Sequence, residues 1–309
     1  MDRVVLDPEV EAALGSFSMP AFSGDALALM RSARADMMAT VELSDAVERT
    51  DHVVVDDPEV VVRVHRPVGH ADPLPCVYSI HGGGYIVGSY TMDDPRFDDW
   101  SARMPCVGVS VEYRLAPDTP YPGPLDDCYA GLRWTWEHAA EIGVDPDRIG
   151  ISGTSAGGGL AAALALLARD RGEIPIAFQL LECPMLDDRQ ATSSSRREAL
   201  PVWSREANTF GWQSYLGDLY GTDDVPAYAA AARAVDLTDL PNAMVIVGGA
   251  DGFRDEDIEY ALRLNQCGTP CELHVLPGAP HGVQLAAGSA IAGRWRALVD
   301  DWLARQLRG

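Results

Sequence analysis

Ile149-Gly150-Ile151-Ser152-Gly153-Thr154-Ser155-Ala156-Gly157-Gly158-Gly159 passes from a short apolar strand into a Gly-x-Ser-x-Gly pentapeptide and then into the alanine-rich run Leu160 to Arg169. Strand, tight turn and helix in that order are what a nucleophile elbow requires. The turn is so sharp that the neighbours of Ser155 cannot carry a side chain, which accounts for glycine at 153 and 157. The following helix aims its unpaired N–H groups and positive dipole end back at the serine, where an oxyanion would form. A pentapeptide of common residues is only a moderate signal, so the reading depends on what else the chain supplies.

A serine hydroxyl is a weak nucleophile at neutral pH and needs a base within reach, oriented by a carboxylate. Of the seven histidines, His52 and His65 fall in a predicted hairpin, His70 in a loop, His138 on a helix and His274 within a strand. His281 lies instead in Pro277-Gly278-Ala279-Pro280-His281-Gly282, a rigid loop leaving the last predicted strand. Among the acids of Gly248 to Glu256, Asp251 emerges directly from a strand end. Asp255 and Glu256 fall in a first helical turn, where acids are favoured, and Asp255 is read as the helix cap. The order Ser155, Asp251, His281 is that of the α/β-hydrolases, not of the chymotrypsin or subtilisin types. His81-Gly82-Gly83-Gly84 follows another strand and lets backbone N–H groups approach a substrate oxygen, so Gly83, Gly84 and Ala156 are the expected oxyanion donors. No Gly-Lys-Ser/Thr accompanies the glycine run, which argues against a phosphate loop.

Together these stretches resemble the hormone-sensitive-lipase family of α/β-hydrolases, the bacterial family IV esterases, in the subgroup with Gly-Thr-Ser-Ala-Gly. The resemblance runs over roughly residues 50–309. It is carried by His81-Gly82-Gly83-Gly84, Tyr113-Arg114-Leu115-Ala116-Pro117, Gly153-Thr154-Ser155-Ala156-Gly157-Gly158, Asp251 with Arg254-Asp255-Glu256, and His281-Gly282. It implies an α/β-hydrolase fold, carboxylester hydrolysis of short to medium acyl chains without a cofactor, an N-terminal cap over the site, and homodimers formed through the last strand. Tyr85 and Gly252 depart from the family pattern. Lactone, amide or carbamate hydrolysis fits the same three residues, since fold does not choose among them. A non-catalytic receptor of the same fold would have lost the histidine that stands here as His281.

The rest of the chain frames this constellation. Residues 1–45 have helical spacing (Leu27, Leu29, Met30, Ala33, Met37, Met38), with the methionines expected in the core. Val53 to Val55 and Val60 to Val64 flank the turn Asp56-Asp57-Pro58, which predicts a hairpin. From residue 76 strands and helices alternate: strands near 76–80, 106–113, 148–152, 175–182, 242–249 and 271–276, and helices near 124–142, 156–169, 255–266 and 284–307. That alternation predicts an α/β fold, a mostly parallel sheet with helices on both faces. Between 186 and 228 the alternation stops, and Trp203, Phe210, Trp212, Tyr215 and Tyr220 crowd the segment. It is read, with residues 1–45, as a helical cap over the catalytic domain 46–309; Tyr85, Trp203 and Phe210 are the expected pocket residues. Glu182 interrupts an apolar strand; it is either a sheet-edge charge reaching solvent or a group that bonds Thr154 and steadies the base.

Composition excludes several function classes. The chain has 309 residues, 47% hydrophobic and 23% charged, the profile of a globular protein with a substantial core. A formal charge of −22 repels nucleic acid and anionic membrane, leaving a small-molecule ester as the expected partner. All 24 basic residues are arginine, so Schiff-base chemistry and a Ser-x-x-Lys nucleophile are ruled out. The six cysteines (76, 106, 128, 183, 267, 271) show no metal-ligand spacing, which predicts free thiols, no metal and a reducing, cytoplasmic setting. The N-terminus lacks a signal-peptide apolar core, and no apolar run reaches the ~20 residues of a membrane span.

Overall fold

The computed structural model describes residues 4–15, 24–198 and 200–308. Its strands are β1 (Val47–Asp56), β2 (Glu59–Pro67), β3 (Leu74–Ile80), β4 (Val107–Glu112), β5 (Val144–Thr154), β6 (Phe178–Glu182), β7 (Asn242–Gly248) and β8 (Cys271–Leu276). They form one sheet in the order β1-β2-β4-β3-β5-β6-β7-β8. β1 and β2 make the predicted antiparallel hairpin, β2 is antiparallel to β4, and every pairing from β4 to β8 is parallel. The helices are α1 (Pro8–Leu14), α2 (Gly24–Ala39), α3 (Asp94–Arg103), α4 (Gly123–Glu137), α5 (Ala139–Ile142), α6 (Ala156–Arg171), α7 (Arg205–Leu216), α8 (Arg254–Gln266) and α9 (Ala290–Arg308).

The central strands are buried on both faces, as continuous apolar runs such as Val107-Gly108-Val109 and Met244-Val245-Ile246-Val247 require. Two cores result. One joins Leu132 of α4, Leu164 of α6 and Leu264 of α8 to Ile151 of β5. The other joins Val10 of α1, Phe97 of α3 and Trp295 and Trp302 of α9 to Phe178 of β6. The carboxyl ends of β3, β5, β6, β7 and β8 each run into a segment that the site uses.

The expected helix over 284–307 is broken: a 3-10 turn covers Val283–Ala286, and α9 starts at Ala290. The cause is local, because the Ser289 hydroxyl accepts from the N–H of Ala292 and restarts the helix there. Within 1–45, helix is found over α1 and α2; residues 1–3 and 16–23 lie outside the described residues. The expected methionine core is only partly formed, with Met30 packed against the main core and Met37 turned out. Leu27 is buried, Met30 and Met38 are half-buried, and Leu29 and Met37 are exposed. Leu27, Met30, Arg31, Arg34 and Met38 face the body, while Leu29, Ala33 and Met37 point away from it. Between 186 and 228 no strand occurs among the described residues, and α7 carries Trp212 and Tyr215 into the core.

Candidate active site

Ser155 stands between β5 and α6 with φ 59° and ψ −122°, a conformation that costs energy in a residue with a side chain. Hydrogen bonds hold it there. Its N–H donates to the Glu182 carbonyl (2.8 Å), and its own carbonyl accepts from Met185 (2.9 Å) and Gly159 (3.0 Å). A Cβ at Gly157 would lie 2.0 Å from the Ile80 carbonyl oxygen, so α6 can approach β3 only through glycine.

The three predicted residues meet. His281 Nδ1 lies 2.8 Å from Asp251 Oδ2, and His281 Nε2 lies 2.9 Å from Ser155 Oγ. An ionised carboxylate only accepts, so Nδ1 carries the proton and Nε2 is left to take the serine proton. Asp251 Oδ1 accepts from the N–H of Phe253 (3.0 Å), and the Phe253 ring stands edge-on to the imidazole. All three residues are buried. The acid and base loops are laced together, because Gly249 donates to the Leu276 carbonyl (2.7 Å) and Ala250 to that of Ala279 (2.9 Å). α1 braces the histidine loop by Asp7 N–H to the Gly278 carbonyl (3.0 Å) and by Glu9, which accepts from Ala290 (2.7 Å).

The 81–88 loop brings its glycines to the elbow. No acceptor among the described residues takes the N–H groups of Gly83, Gly84 or Ala156. His81 stacks on Tyr113 and donates Nδ1–H to the Gly82 carbonyl (2.8 Å), while its Nε2 is buried without a partner. Burial lowers its pKa to about 4, so the ring is neutral at pH 7, with Arg34 adding to the same effect. The Trp203 ring packs on Gly84 so closely that a Cβ there would lie 2.2 Å away. Tyr85 is buried, stacked on Tyr215 at 4.0 Å, with its hydroxyl donating to the Met185 carbonyl (3.2 Å). Phe210 of α7 is half-buried against the same core. Arg31 of α2 clamps this loop by donating to the carbonyls of Ile86 (2.8 Å) and Ala116 (2.9 Å).

Glu182 does not reach solvent; it is 1% exposed. It pairs with Arg96 of α3, accepts the indole N–H of Trp295 (2.7 Å), and stands 3.5 Å from the Thr154 hydroxyl. Asp255 does not cap its helix. α8 begins one residue earlier, at Arg254, so Asp255 sits in the first turn and accepts from the Ser194 N–H (2.8 Å) instead. Glu256 accepts from the N–H groups of Leu186 (2.9 Å) and Asp187 (3.1 Å), and burial raises its pKa well above the carboxylate range.

Sequence reasoning missed two neighbours of these residues. Cys183, at φ 38°, places its Sγ within 4.8 Å of ligand atoms of Asp251 and His281. Burial raises its thiol pKa well above the usual value, and the charges of Asp251, Asp257 and Glu182 add to the effect. Asp257 is wholly buried, and neither carboxylate oxygen has a hydrogen-bond partner. Its pKa too is raised by burial, then by Glu256 and Asp251. For Cys183 a signal existed, since it directly follows the end of β6, where α/β sites gather. For Asp257 none did.

The alpha/beta hydrolase fold family matches residues 77–285. The chain is 34% identical over 285 residues to Carboxylesterase NlhH of Mycobacterium tuberculosis (strain CDC 1551 / Oshkosh), covering 91% of this chain and 89% of that protein. It is 38% identical over 245 residues to Esterase LipI of Mycobacterium tuberculosis (strain ATCC 25618 / H37Rv), covering 78% and 76%. Among solved structures, Bacterial Heroin Esterase superposes with a TM-score of 0.93 at 41% identity, over 99% of each chain.

Proposed function

The chain belongs to the alpha/beta hydrolase fold family, in its hormone-sensitive-lipase-like branch, and on that premise we propose that it is a serine carboxylesterase acting on short- to medium-chain acyl esters. The observation that carries this reading is the continuous hydrogen-bonded chain from Ser155 Oγ through His281 to Asp251. Ser155 attacks the ester carbonyl as His281 Nε2 takes its proton, and Asp251 stabilises the imidazolium that forms. The tetrahedral oxyanion is held by the N–H groups of Gly83, Gly84 and Ala156; their lack of a protein acceptor supports that role. His281 returns the proton to the leaving alcohol, and water then deacylates the enzyme through the same base.

Residues 1–45 and 186–228 form the cap in this reading, supported by Arg31 on the glycine loop and by Trp203 on Gly84. Glu182 and Thr154 steady the elbow, consistent with the Glu182 carbonyl receiving the Ser155 N–H. Assignment to the Gly-Thr-Ser-Ala-Gly subgroup follows the motif at 153–157. A homodimer through β8 is supported by that strand's place at the sheet edge. Six free cysteines favour a reducing, cytoplasmic setting, and no described helix is long and apolar enough to cross a membrane.

The test is turnover of p-nitrophenyl butyrate by Ser155→Ala, expected to fall by about 10⁴-fold or more. Near wild-type turnover would overturn the reading. A chain-length series beside lactones and amides then fixes the substrate class.

A further inference from the structure

Three side chains from three separate segments converge beside the nucleophile: Cys183 after β6, Asp251 after β7 and His281 after β8. Each offers a different donor atom, a sulfur, a carboxylate oxygen and an imidazole nitrogen, and these atoms all lie within 4.8 Å of one another. Tetrahedral bonds of about 2.0–2.3 Å to such donors place them roughly 3.3–3.8 Å apart, so small side-chain rotations close the set around one ion. The mix suits a borderline or soft divalent cation and not magnesium or calcium, which take oxygen ligands.

A second observation points the same way. Asp257 is wholly buried with both carboxylate oxygens unpartnered, and it is close enough for its charge to act on Cys183 and Asp251. An orphaned acid at such depth is costly, and a nearby cation would relieve it. Among the described residues no arginine pairs with it, whereas Glu182 has Arg96.

We propose that Cys183, Asp251 and His281 form an inhibitory site for a thiophilic divalent cation of the zinc or cadmium class, with Asp257 supplying compensating charge. On binding, the Cys183 thiol proton and the Asp257 carboxyl proton leave to solvent as the sulfur–metal bond forms and the cation offsets the Asp257 charge, Asp251 gives an oxygen and His281 a ring lone pair, and nothing is oxidised. A cation on Nε2 occupies the lone pair that accepts the Ser155 proton. A cation on Nδ1 sends the imidazole proton to Nε2, where it blocks that same lone pair. Either way the base is lost and substrate hydrolysis stops. The inhibition rests on the esterase reading; the binding does not.

The experiment titrates cadmium ion into wild type and into Ser155→Ala, following the ultraviolet sulfur-to-cadmium charge-transfer absorption, and in parallel follows p-nitrophenyl butyrate turnover by wild type. One cadmium per chain is expected in both proteins, with turnover falling in step and returning on EDTA. Cys183→Ser is expected to lose the absorption and to need about 100-fold more cadmium for half-inhibition, and Asp257→Asn about 10-fold more. Persistence of the absorption or of unchanged inhibition in Cys183→Ser overturns the proposal, as does loss of both in Cys267→Ser/Cys271→Ser. If Cys183→Ser does not fold, Cys183→Ala takes its place. The thermal midpoint of wild type must also rise with cadmium, and its failure to do so overturns the proposal. If wild type shows no turnover, the esterase reading fails while the absorption still decides the metal site.

Discussion

Two buried carboxylates near the Ser155–His281–Asp251 chain stand in opposite circumstances. Glu182, at the end of β6, is 1% exposed and meets a guanidinium and an indole N–H. Asp257, in the first turn of α8, is 0% exposed, and neither of its carboxylate oxygens has a hydrogen-bond partner. The difference teaches that burial alone does not set what a carboxyl group does. Its partners make Glu182 a tie from α3 and α9 to Ser155, whereas burial drives Asp257 toward its neutral form. Asp251 belongs with Glu182 in this respect, since both of its oxygens accept hydrogen bonds.

The largest effect separates the partnered acid of the triad from the unpartnered one six positions on. Asp251→Asn is expected to lower kcat about 10⁴-fold by favouring the wrong imidazole tautomer. Asp257→Asn should leave kcat within about twofold, well inside the limits of ordinary mutational scatter. Equal losses in the two variants would erase the contrast. Next comes Arg96→Ala, which leaves Glu182 as an uncompensated buried charge and should cost about 3–5 kcal/mol in denaturant unfolding. An unchanged midpoint would show that the ion pair carries no weight.

His81 lies between the two cases, with one ring nitrogen bonded and the other orphaned. Its folded pKa of about 4 is below the ordinary 6.5, so the unfolded chain binds the proton first as pH falls. The stabilising contribution is therefore complete above pH 6.5 and is lost as pH drops toward 4, by about 3 kcal/mol at that point. His81→Phe keeps the ring stack and should remove that slope from unfolding free energies measured across the window. The smallest effect is the stability of Asp257→Asn. Because the native pKa is raised, wild type holds a proton that the unfolded chain releases above about 3.8, so its cost grows as pH rises. The variant should gain stability relative to wild type as pH rises from 4 to 8, read by thermal unfolding at both; a difference that does not grow with pH would show that Asp257 does not titrate this way.

Much of this was legible in the chain because it depends on local rules. The alternation of apolar strands and helical runs from residue 76 predicted the parallel sheet, and a strand is found within or around each apolar run read as one. The spacing around 284–307 could not show the break before Ala290, which depends on a single serine turning its hydroxyl to the backbone. Met37 looked like core because periodicity reports a face without saying how much of it finds a neighbour.

The sequence by itself determined the elbow at 153–157, the order of Ser155, Asp251 and His281, and the absence of any lysine-based chemistry. These are consequences of residue type and of turn geometry over a few positions. Only the tertiary structure decided that Glu182 faces Arg96 instead of solvent, that Asp255 serves Ser194 instead of its own helix, and that Cys183 lies against Asp251 and His281. Each of those contacts joins residues from separate elements. A side chain's charge, partner and reactivity there follow from which other strand or helix end packs against it, and no local spacing encodes that.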